Sequence, residues 1–145
     1  METEPYKPGR PISLLLLALS LTGLIDASYL VYKHYFHVPL VCPIFGGCDR
    51  VLNSQYAQVF GVPLAVIGVA YYFAVTVFML WYLRAGKVRL AQIATSLVAV
   101  AFLISLGLVY LQLFVLKSIC AYCMFSALTT TALFAASLPI LAKSK

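Results

Sequence analysis

The sequence predicts an all-α membrane protein built as a bundle of four transmembrane helices, on the basis of three observations. Of its 145 residues, 63% are hydrophobic and only 10% are charged, whereas soluble domains carry roughly 25% charged residues. Four apolar stretches each reach the length of about 20 residues that one bilayer crossing needs. The connections are short, so we expect a single domain over residues 1–145 without a separate soluble domain.

The four predicted helices are separated by one long loop and two short turns. The first covers about residues 12–32, and we expect it to be retained because it is longer than the apolar core of a signal peptide. An outer loop over 33–61 leads to the second helix over 62–83. The third and fourth helices, over 90–116 and 119–142, are joined by a very short turn and must pack as an antiparallel hairpin.

The basic residues predict the orientation, because cytoplasmic segments next to membrane helices carry an excess of Lys and Arg. Of the ten Lys and Arg residues, seven fall on one side and three on the other. The seven are Lys7, Arg10, Arg84, Lys87, Arg89, Lys143 and Lys145. We therefore expect a multi-pass protein of the cell membrane with both termini in the cytoplasm. The formal charge of +6 then reflects topology and membrane lipid, and no nucleic acid is needed to explain it.

All four cysteines fall on the predicted extracytoplasmic side, where disulfides can persist. Cys42 and Cys48 flank a loop rich in glycine and proline, whereas Cys120 and Cys123 form a C-x-x-C motif at the start of the fourth helix. The partial positive charge at the beginning of a helix stabilises a thiolate, so the first cysteine of this motif is expected to be reactive. The clustering of the two pairs favours redox chemistry over two structural disulfides.

Other interpretations of the polar residues stay open. A tetraspan scaffold with static disulfides would use the same cysteines. A four-thiolate zinc site is disfavoured by the spacing, so no metal is predicted, and Met124 stands where covalent haem attachment needs a histidine. His34 and His37 are expected at the membrane interface. Asp26 lies inside the first apolar segment, where it is either a proton carrier or a hydrogen-bonded packing residue, and alone it makes a poor case for a transporter.

The segment after the loop cysteines predicts a short amphipathic helix in the outer interface. Asp49 is expected to be its N-cap, and Leu52, Tyr56, Val59 and Phe60 recur at helical spacing on one face. Such a helix would cap the bundle and cover an apolar pocket beneath the C-x-x-C motif.

The chain resembles the prokaryotic branch of the vitamin K epoxide reductase family from about Leu15 to Leu138. The resemblance is carried by both cysteine pairs, by residues that follow the first pair and by the entry to the second helix. These residues are Cys42, Cys48, Asp49, Val51, Ser54, Tyr56, Gly68, Cys120 and Cys123, together with the run Phe60-Gly61-Val62-Pro63-Leu64-Ala65. The resemblance implies a four-helix bundle around a quinone and a DsbB-like role in forming the disulfides of secreted proteins.

The same resemblance implies a role for each cysteine. Cys42 would meet the cysteine of a thioredoxin-like or DsbA-like partner, and Cys48 would exchange with Cys120. Cys123 would lie next to the quinone, through which electrons reach the membrane quinone pool. Some bacterial relatives carry a fused thioredoxin-like domain, which this sequence lacks, so we expect the partner to be a separate protein.

A quinone is the implied cofactor, whether menaquinone, ubiquinone or a vitamin K-like molecule. Ser54 matches a family hydroxyl close to the quinone, and a backbone hydrogen bond is its alternative role. Animal members bind the vitamin K head group with an Asn and a Tyr, where this chain has residues near Ala57 and Ala127. Plain quinone reduction is therefore favoured over epoxide reduction. The residues expected to contact the quinone are Leu52, Ser54, Tyr56, Phe60 and Cys123.

Overall fold

The computed structural model of the protein describes residues 7–38 and 46–143. In chain order the elements are α1 (Arg10–Tyr35), α2 (Cys48–Leu52), a 3₁₀ turn (Gln55–Ala57), β1 (Gln58–Val59), β2 (Val62–Pro63), α3 (Leu64–Ala85), α4 (Val88–Tyr110) and α5 (Ala121–Ala142). A π-helical turn, Leu111–Val115, continues α4. The strands β1 and β2 pair antiparallel as a small hairpin.

Four helices confirm the predicted fold class. Helices α1, α3 and α5, and α4 together with its π-helical turn, are each long and apolar enough to cross a membrane. Their ends differ from the predicted ones by a few residues. Helix α1 extends beyond 12–32 at both ends, since the polar residues that flank an apolar run can continue its hydrogen bonding. Helix α3 begins at Leu64 because the two residues before it belong to β2.

The helices alternate in direction, which gives the bundle two distinct ends. The start of α1 meets the end of α3, where the Tyr82 hydroxyl donates a hydrogen bond to the Pro8 carbonyl at 3.0 Å. We call this the basic end, because Arg10, Arg84 and Arg89 lie at the helix termini there. The opposite end carries Cys48 and the C-x-x-C motif, and we call it the cysteine end. The side of the membrane that each end faces stays a prediction.

One tyrosine connects three of the four long helices. The Tyr72 ring of α3 packs directly on Gly23 of α1, where a Cβ atom would overlap the ring. Its hydroxyl makes hydrogen bonds to α5, at 3.0 Å to the Ser126 carbonyl, 2.9 Å to the Ser126 hydroxyl and 3.0 Å to the Thr130 hydroxyl. In lipid, helices associate through close packing at small residues and through interhelical hydrogen bonds. Tyr72 uses both.

Helices α3 and α4 pack closely only towards the basic end. The first buried residue of α3 is Tyr72, and the last buried residue of α4 itself is Val98. Small buried side chains, among them Ala91 and Ala94, allow this close approach. Before Tyr72 in α3 and after Val98 in α4 itself, neither helix contributes a buried residue, and the space between the four helices there is the cavity described below.

The short helix predicted after Cys48 is present, but its predicted N-cap and its extent to Phe60 are wrong. Residues 48–63 form α2, the 3₁₀ turn and the hairpin, and Gly47 is the N-cap of α2, not Asp49. Phe60 and Gly61 have φ values of 52° and 81° at the tip of the hairpin. Two positive φ values in succession form the tight turn that glycine favours. A helix cannot continue through this turn, although the apolar residues before it have helical spacing.

Replacing Gly23 with Ala should destabilise the bundle, because the added methyl group overlaps the Tyr72 ring. Overpacking a close contact costs about 1 to 3 kcal/mol, so the free energy of unfolding should fall by that order in detergent. Gly107→Ala is the matched control, since a Cβ atom at this helical glycine meets nothing within 4 Å. Equal loss in both variants would contradict the role given to the Gly23–Tyr72 contact.

Candidate functional site

A cavity of about 360 Å³ lies inside the bundle at the cysteine end. Its volume falls within the roughly 300 to 1,000 Å³ of typical small-molecule sites. All four long helices form its wall, and α2 with the 3₁₀ turn covers it. Most of the side chains in the wall are apolar. Its polar side chains are His34, Ser54, Tyr56, Tyr71, Tyr72, Ser105, Gln112, Cys123, Ser126 and Thr130.

Four of the five residues predicted to contact a cofactor line this cavity, and one does not. The four are Leu52, Ser54, Tyr56 and Cys123. Phe60 is fully exposed at the tip of the hairpin, because the tight turn between β1 and β2 holds it in the open. The structure does not bring Phe60 to the cavity. His34, expected only at the interface, does line it.

Ser54 makes the backbone hydrogen bond considered for it and also lies in the cavity wall. It lines the cavity, and its hydroxyl donates a hydrogen bond to the Val51 carbonyl at 2.7 Å. A serine hydroxyl has one hydrogen. While this backbone bond is made, Ser54 can accept a hydrogen bond from a ligand but cannot donate one.

The structure brings the first pair's Cys48 together with the C-x-x-C motif. Cys48 and Cys120 are fully buried, and they belong to one apolar cluster against which Cys123 packs. Cys48 takes part in a disulfide bond, while Cys120 and Cys123 are free thiols. Cys42 lies outside the described residues. The site thus places three sulfur atoms from two distant segments in one small volume beside the cavity.

Gly47 allows these two cysteine segments to approach each other. A Cβ atom at Gly47 would lie 2.9 Å from the Ile119 carbonyl oxygen and 3.1 Å from the Ile119 nitrogen. Both neighbours are backbone atoms, which cannot swing away as the end of a side chain can. Gly47 immediately precedes Cys48 and Ile119 immediately precedes Cys120, so any larger residue at 47 would separate the two sulfur positions.

Gln112 fixes the start of the C-x-x-C motif. It is 4% exposed, and its side-chain oxygen accepts a hydrogen bond from the Cys120 N–H at 3.0 Å. Its own carbonyl accepts one from the Ser118 N–H at 3.1 Å. A backbone group left unsatisfied in an apolar surrounding is costly. Gln112 was not among the predicted site residues, although an amide in the last turn of an apolar span is a signal for such a role.

The Cys120 thiol is more acidic than an ordinary cysteine, as expected for the first cysteine of the motif, and its surroundings explain why. A hydrogen bond from the Cys123 side chain makes the largest contribution in lowering the pKa of Cys120 to about 7, from an ordinary value of 9.0. Burial acts in the opposite direction, and hydrogen bonds from the backbone of Cys123 and Tyr122 lower the pKa further. Near neutral pH a large fraction of Cys120 is therefore a thiolate, which is the nucleophilic form.

Asp26 is buried within the bundle, outside the cavity wall. It is 9% exposed, and its Oδ2 atom has no hydrogen-bond partner among the residues that the structure describes. It follows Gly23 by about one helical turn and precedes Tyr29 by another, and the Tyr29 ring lies 5.4 Å from that of Tyr122. Asp26 is thereby placed on the part of α1 that faces the start of α5.

These features define a membrane protein with a C-x-x-C motif and a third cysteine next to an apolar cavity, a class suited to thiol–disulfide exchange. The profile of the vitamin K epoxide reductase family matches residues 14–138, and the chain belongs to this family. A stretch of 54 residues is 52% identical to the thiol-disulfide oxidoreductase LTO1 of Arabidopsis thaliana. That match covers 37% of this chain and only 14% of the relative.

Replacing Cys123 with Ala should raise the pKa of Cys120, because it removes the largest of the interactions that lower it. In the unaltered protein, alkylation of Cys120 by iodoacetamide should rise through a midpoint near pH 7 as the thiolate forms. In the variant, the midpoint should move towards 9. Mass spectrometry of the Cys120 peptide measures the rate at each pH, and an unchanged midpoint would contradict the hydrogen bond.

Replacing Gly47 with Ala should slow the formation of a Cys48–Cys120 disulfide. The measurement uses a background with Cys42→Ser and Cys123→Ser, in which an added oxidant can join only these two cysteines. We expect a rate about tenfold lower, since small displacements of reacting atoms cost on this scale. Gly107→Ala in the same background is the control. If both variants cross-link as fast as the background protein, Gly47 does not set the approach of the two segments.

Proposed function

We propose that the protein is a quinone-dependent thiol/disulfide oxidoreductase that reoxidises a thioredoxin-like partner and so supports disulfide bond formation. The observation that carries the proposal is the placement of Cys48 and Cys120 in one buried cluster, with Cys123 in the wall of an apolar cavity. Family membership and the similarity to a plant thiol-disulfide oxidoreductase support thiol chemistry at this cluster.

The first steps are two thiol–disulfide exchanges. A reduced, DsbA-like partner gives two electrons to the Cys42–Cys48 disulfide, which opens to two thiols while the partner leaves with a disulfide. The Cys48 thiolate then attacks Cys120 in a Cys120–Cys123 disulfide, forming a Cys48–Cys120 bond and releasing Cys123 as a thiolate. Attack of Cys42 on Cys48 restores the first disulfide and leaves Cys120 and Cys123 both reduced.

The arrangement in the structure corresponds to the end of these exchanges. Cys48 is in a disulfide, and Cys120 and Cys123 are thiols, as the proposed sequence leaves them before the acceptor is reduced. The low pKa of Cys120 keeps it available as a thiolate near neutral pH. Its hydrogen bond with Cys123 also holds the two sulfur atoms close together, as closing the disulfide between them requires.

The cavity fits a quinone in its chemistry. A bound quinone supplies an acceptor for two electrons and two protons, which balances the oxidation of two thiols to one disulfide. Leu52, Ser54 and Tyr56 would hold the ring from above, and Cys123 would face it from the wall. Menaquinone, ubiquinone and vitamin K-like molecules all belong to this class of acceptor.

Reduction of a quinone is a better fit than reduction of an epoxide. Ala57 and Ala127 both line the cavity, and they stand near the positions where the family resemblance expects the Asn and Tyr of animal members. A methyl group donates no hydrogen bond to a vitamin K head group. The cavity is therefore suited to an apolar ring with few polar contacts.

The proposed orientation places the cysteine end on the extracytoplasmic side, with both termini in the cytoplasm. Its support is the gathering of basic residues at the opposite end of the bundle, because positively charged segments are retained in the cytoplasm. In this orientation the cysteines meet an oxidising compartment and secreted substrates.

The function predicts that replacing any one cysteine with Ser stops steady-state reduction of a quinone. The assay gives the purified protein in detergent a reduced thioredoxin-like donor and a short-chain menaquinone or ubiquinone analogue, and it follows quinone absorbance. Each Cys→Ser variant should lose at least about 99% of the rate, since each exchange needs its own sulfur atom. Ser118→Ala is the control, because its hydroxyl makes no described hydrogen bond and is not part of the relay.

In the Cys123→Ser variant the Cys120 thiolate can still attack Cys48 of the Cys42–Cys48 disulfide, which forms a Cys48–Cys120 disulfide and releases Cys42 as a thiolate. Without a thiol at position 123 only Cys42 can reverse this cross-link, so a fraction of the protein should hold it. Non-reducing peptide mapping detects it. A protein that holds static disulfides in a scaffold would show neither turnover nor this cross-link. That result would contradict the proposed function.

A further inference from the structure

Tyr71 carries an unsatisfied hydrogen-bonding group in the wall of the cavity. Two buried side-chain atoms have no hydrogen-bond partner among the described residues, the Tyr71 hydroxyl and Oδ2 of Asp26. Only Tyr71 lines the cavity. A buried hydroxyl without a partner is unfavourable, so a molecule that fills the cavity is the natural source of the missing partner.

The neighbouring Tyr72 shows how a satisfied hydroxyl is arranged at the same level of the bundle. The two rings lie 4.6 Å apart, yet Tyr72 makes hydrogen bonds to Ser126 and to Thr130 of α5. The Thr130 hydroxyl also lies near Tyr71, but Tyr72 already bonds it at 3.0 Å. The Tyr71 hydroxyl itself makes no hydrogen bond to α5 or to any other described residue.

Two other polar groups of the wall have partners in the protein. The Ser54 hydroxyl donates its only hydrogen to the Val51 carbonyl, and the Gln112 side-chain oxygen accepts from the Cys120 N–H. Tyr71 differs from them, since it offers the cavity a buried donor that no described residue accepts.

We propose that the Tyr71 hydroxyl donates a hydrogen bond to a carbonyl oxygen of the quinone. This inference rests on the proposed function and names a residue that binds its acceptor. A quinone carbonyl accepts hydrogen bonds and donates none, so its chemistry is complementary to a phenol whose hydrogen is free. The bond becomes stronger as the oxygen gains negative charge during reduction. Tyr71 therefore favours the electron transfer as well as the binding.

Replacing Tyr71 with Phe tests the bond, because it removes the hydroxyl and leaves the ring. With the assay above, we expect the KM for the quinone analogue to rise about five- to tenfold, a loss of about 1 to 1.4 kcal/mol at 1.4 kcal/mol per tenfold. Equilibrium dialysis of the same analogue should show a similar rise in Kd. A naphthalene analogue without carbonyl oxygens should bind both proteins equally.

Thermal unfolding supplies a second readout that does not depend on turnover. Without quinone, Tyr71→Phe should unfold at the same or a higher temperature than the unaltered protein, since it removes an unsatisfied buried group. With quinone, the stabilisation should be smaller in the variant. Tyr110→Phe is the matched control, because Tyr110 is 58% exposed and lies outside the cavity wall.

The outcomes separate the two proposals. If the unaltered protein reduces quinone and Tyr71→Phe leaves KM, Kd and the thermal shift unchanged, Tyr71 is not the donor and the proposed function stands. If the unaltered protein neither binds nor reduces quinone, the proposed function fails, and the inference falls with it.

Discussion

The contact between Gly23 of α1 and the ring of Tyr72 sets the geometry on which the site depends. Because glycine has no side chain, α1 comes close enough for the ring to lie across it, and the hydroxyl then reaches Ser126 and Thr130 of α5. One side chain of α3 thus fixes two neighbours at once. The hydrogen bonds to α5 lie only a few residues after Cys123. They therefore fix the position and rotation of α5 where it carries the cysteines.

The cysteine end is built from backbone contacts more than from side-chain packing. Gly47 lies against the backbone of Ile119, and the Gln112 side-chain oxygen accepts a hydrogen bond from the Cys120 N–H, just before α5 begins. The first contact allows the two backbones to approach closely, and the second gives a backbone N–H its hydrogen bond in an apolar environment. Together they place Cys48 beside Cys120 in one buried cluster.

The fold was predictable because lipid leaves a long apolar segment almost no choice but a helix. The meeting of Cys48 with the C-x-x-C motif was predictable for a related reason, since the order of the spans puts both at the same end of the bundle. The hairpin after α2 was not predictable, because the apolar residues from Leu52 to Phe60 have helical spacing. The hairpin depends instead on the positive φ values of Phe60 and Gly61.

Tyr71 and Tyr72 show a different limit of the sequence. They are identical residues in adjacent positions, and only the partners on α5 distinguish the one that holds the bundle from the one that faces the cavity. Helical periodicity places them on neighbouring faces but does not say which face meets Ser126. Phe60 was wrongly predicted to contact the quinone for a similar reason, since its exposure depends on the hairpin turn and not on its apolar side chain.

The π-helical turn at Leu111–Val115 has a consequence for how this region tolerates change. A π turn holds one more residue than an α turn. The side chains after the turn are therefore rotated about the helix axis relative to a regular α-helix that continues from Val88. The turn begins beside Gln112, whose side-chain oxygen accepts from the Cys120 N–H and whose carbonyl accepts from the Ser118 N–H. Removing one residue between Gln112 and Ser118 would rotate the following backbone by about 100° relative to Gln112, and both hydrogen bonds would be lost. Chain length in this short stretch is therefore under tighter constraint than the identity of most of its apolar side chains.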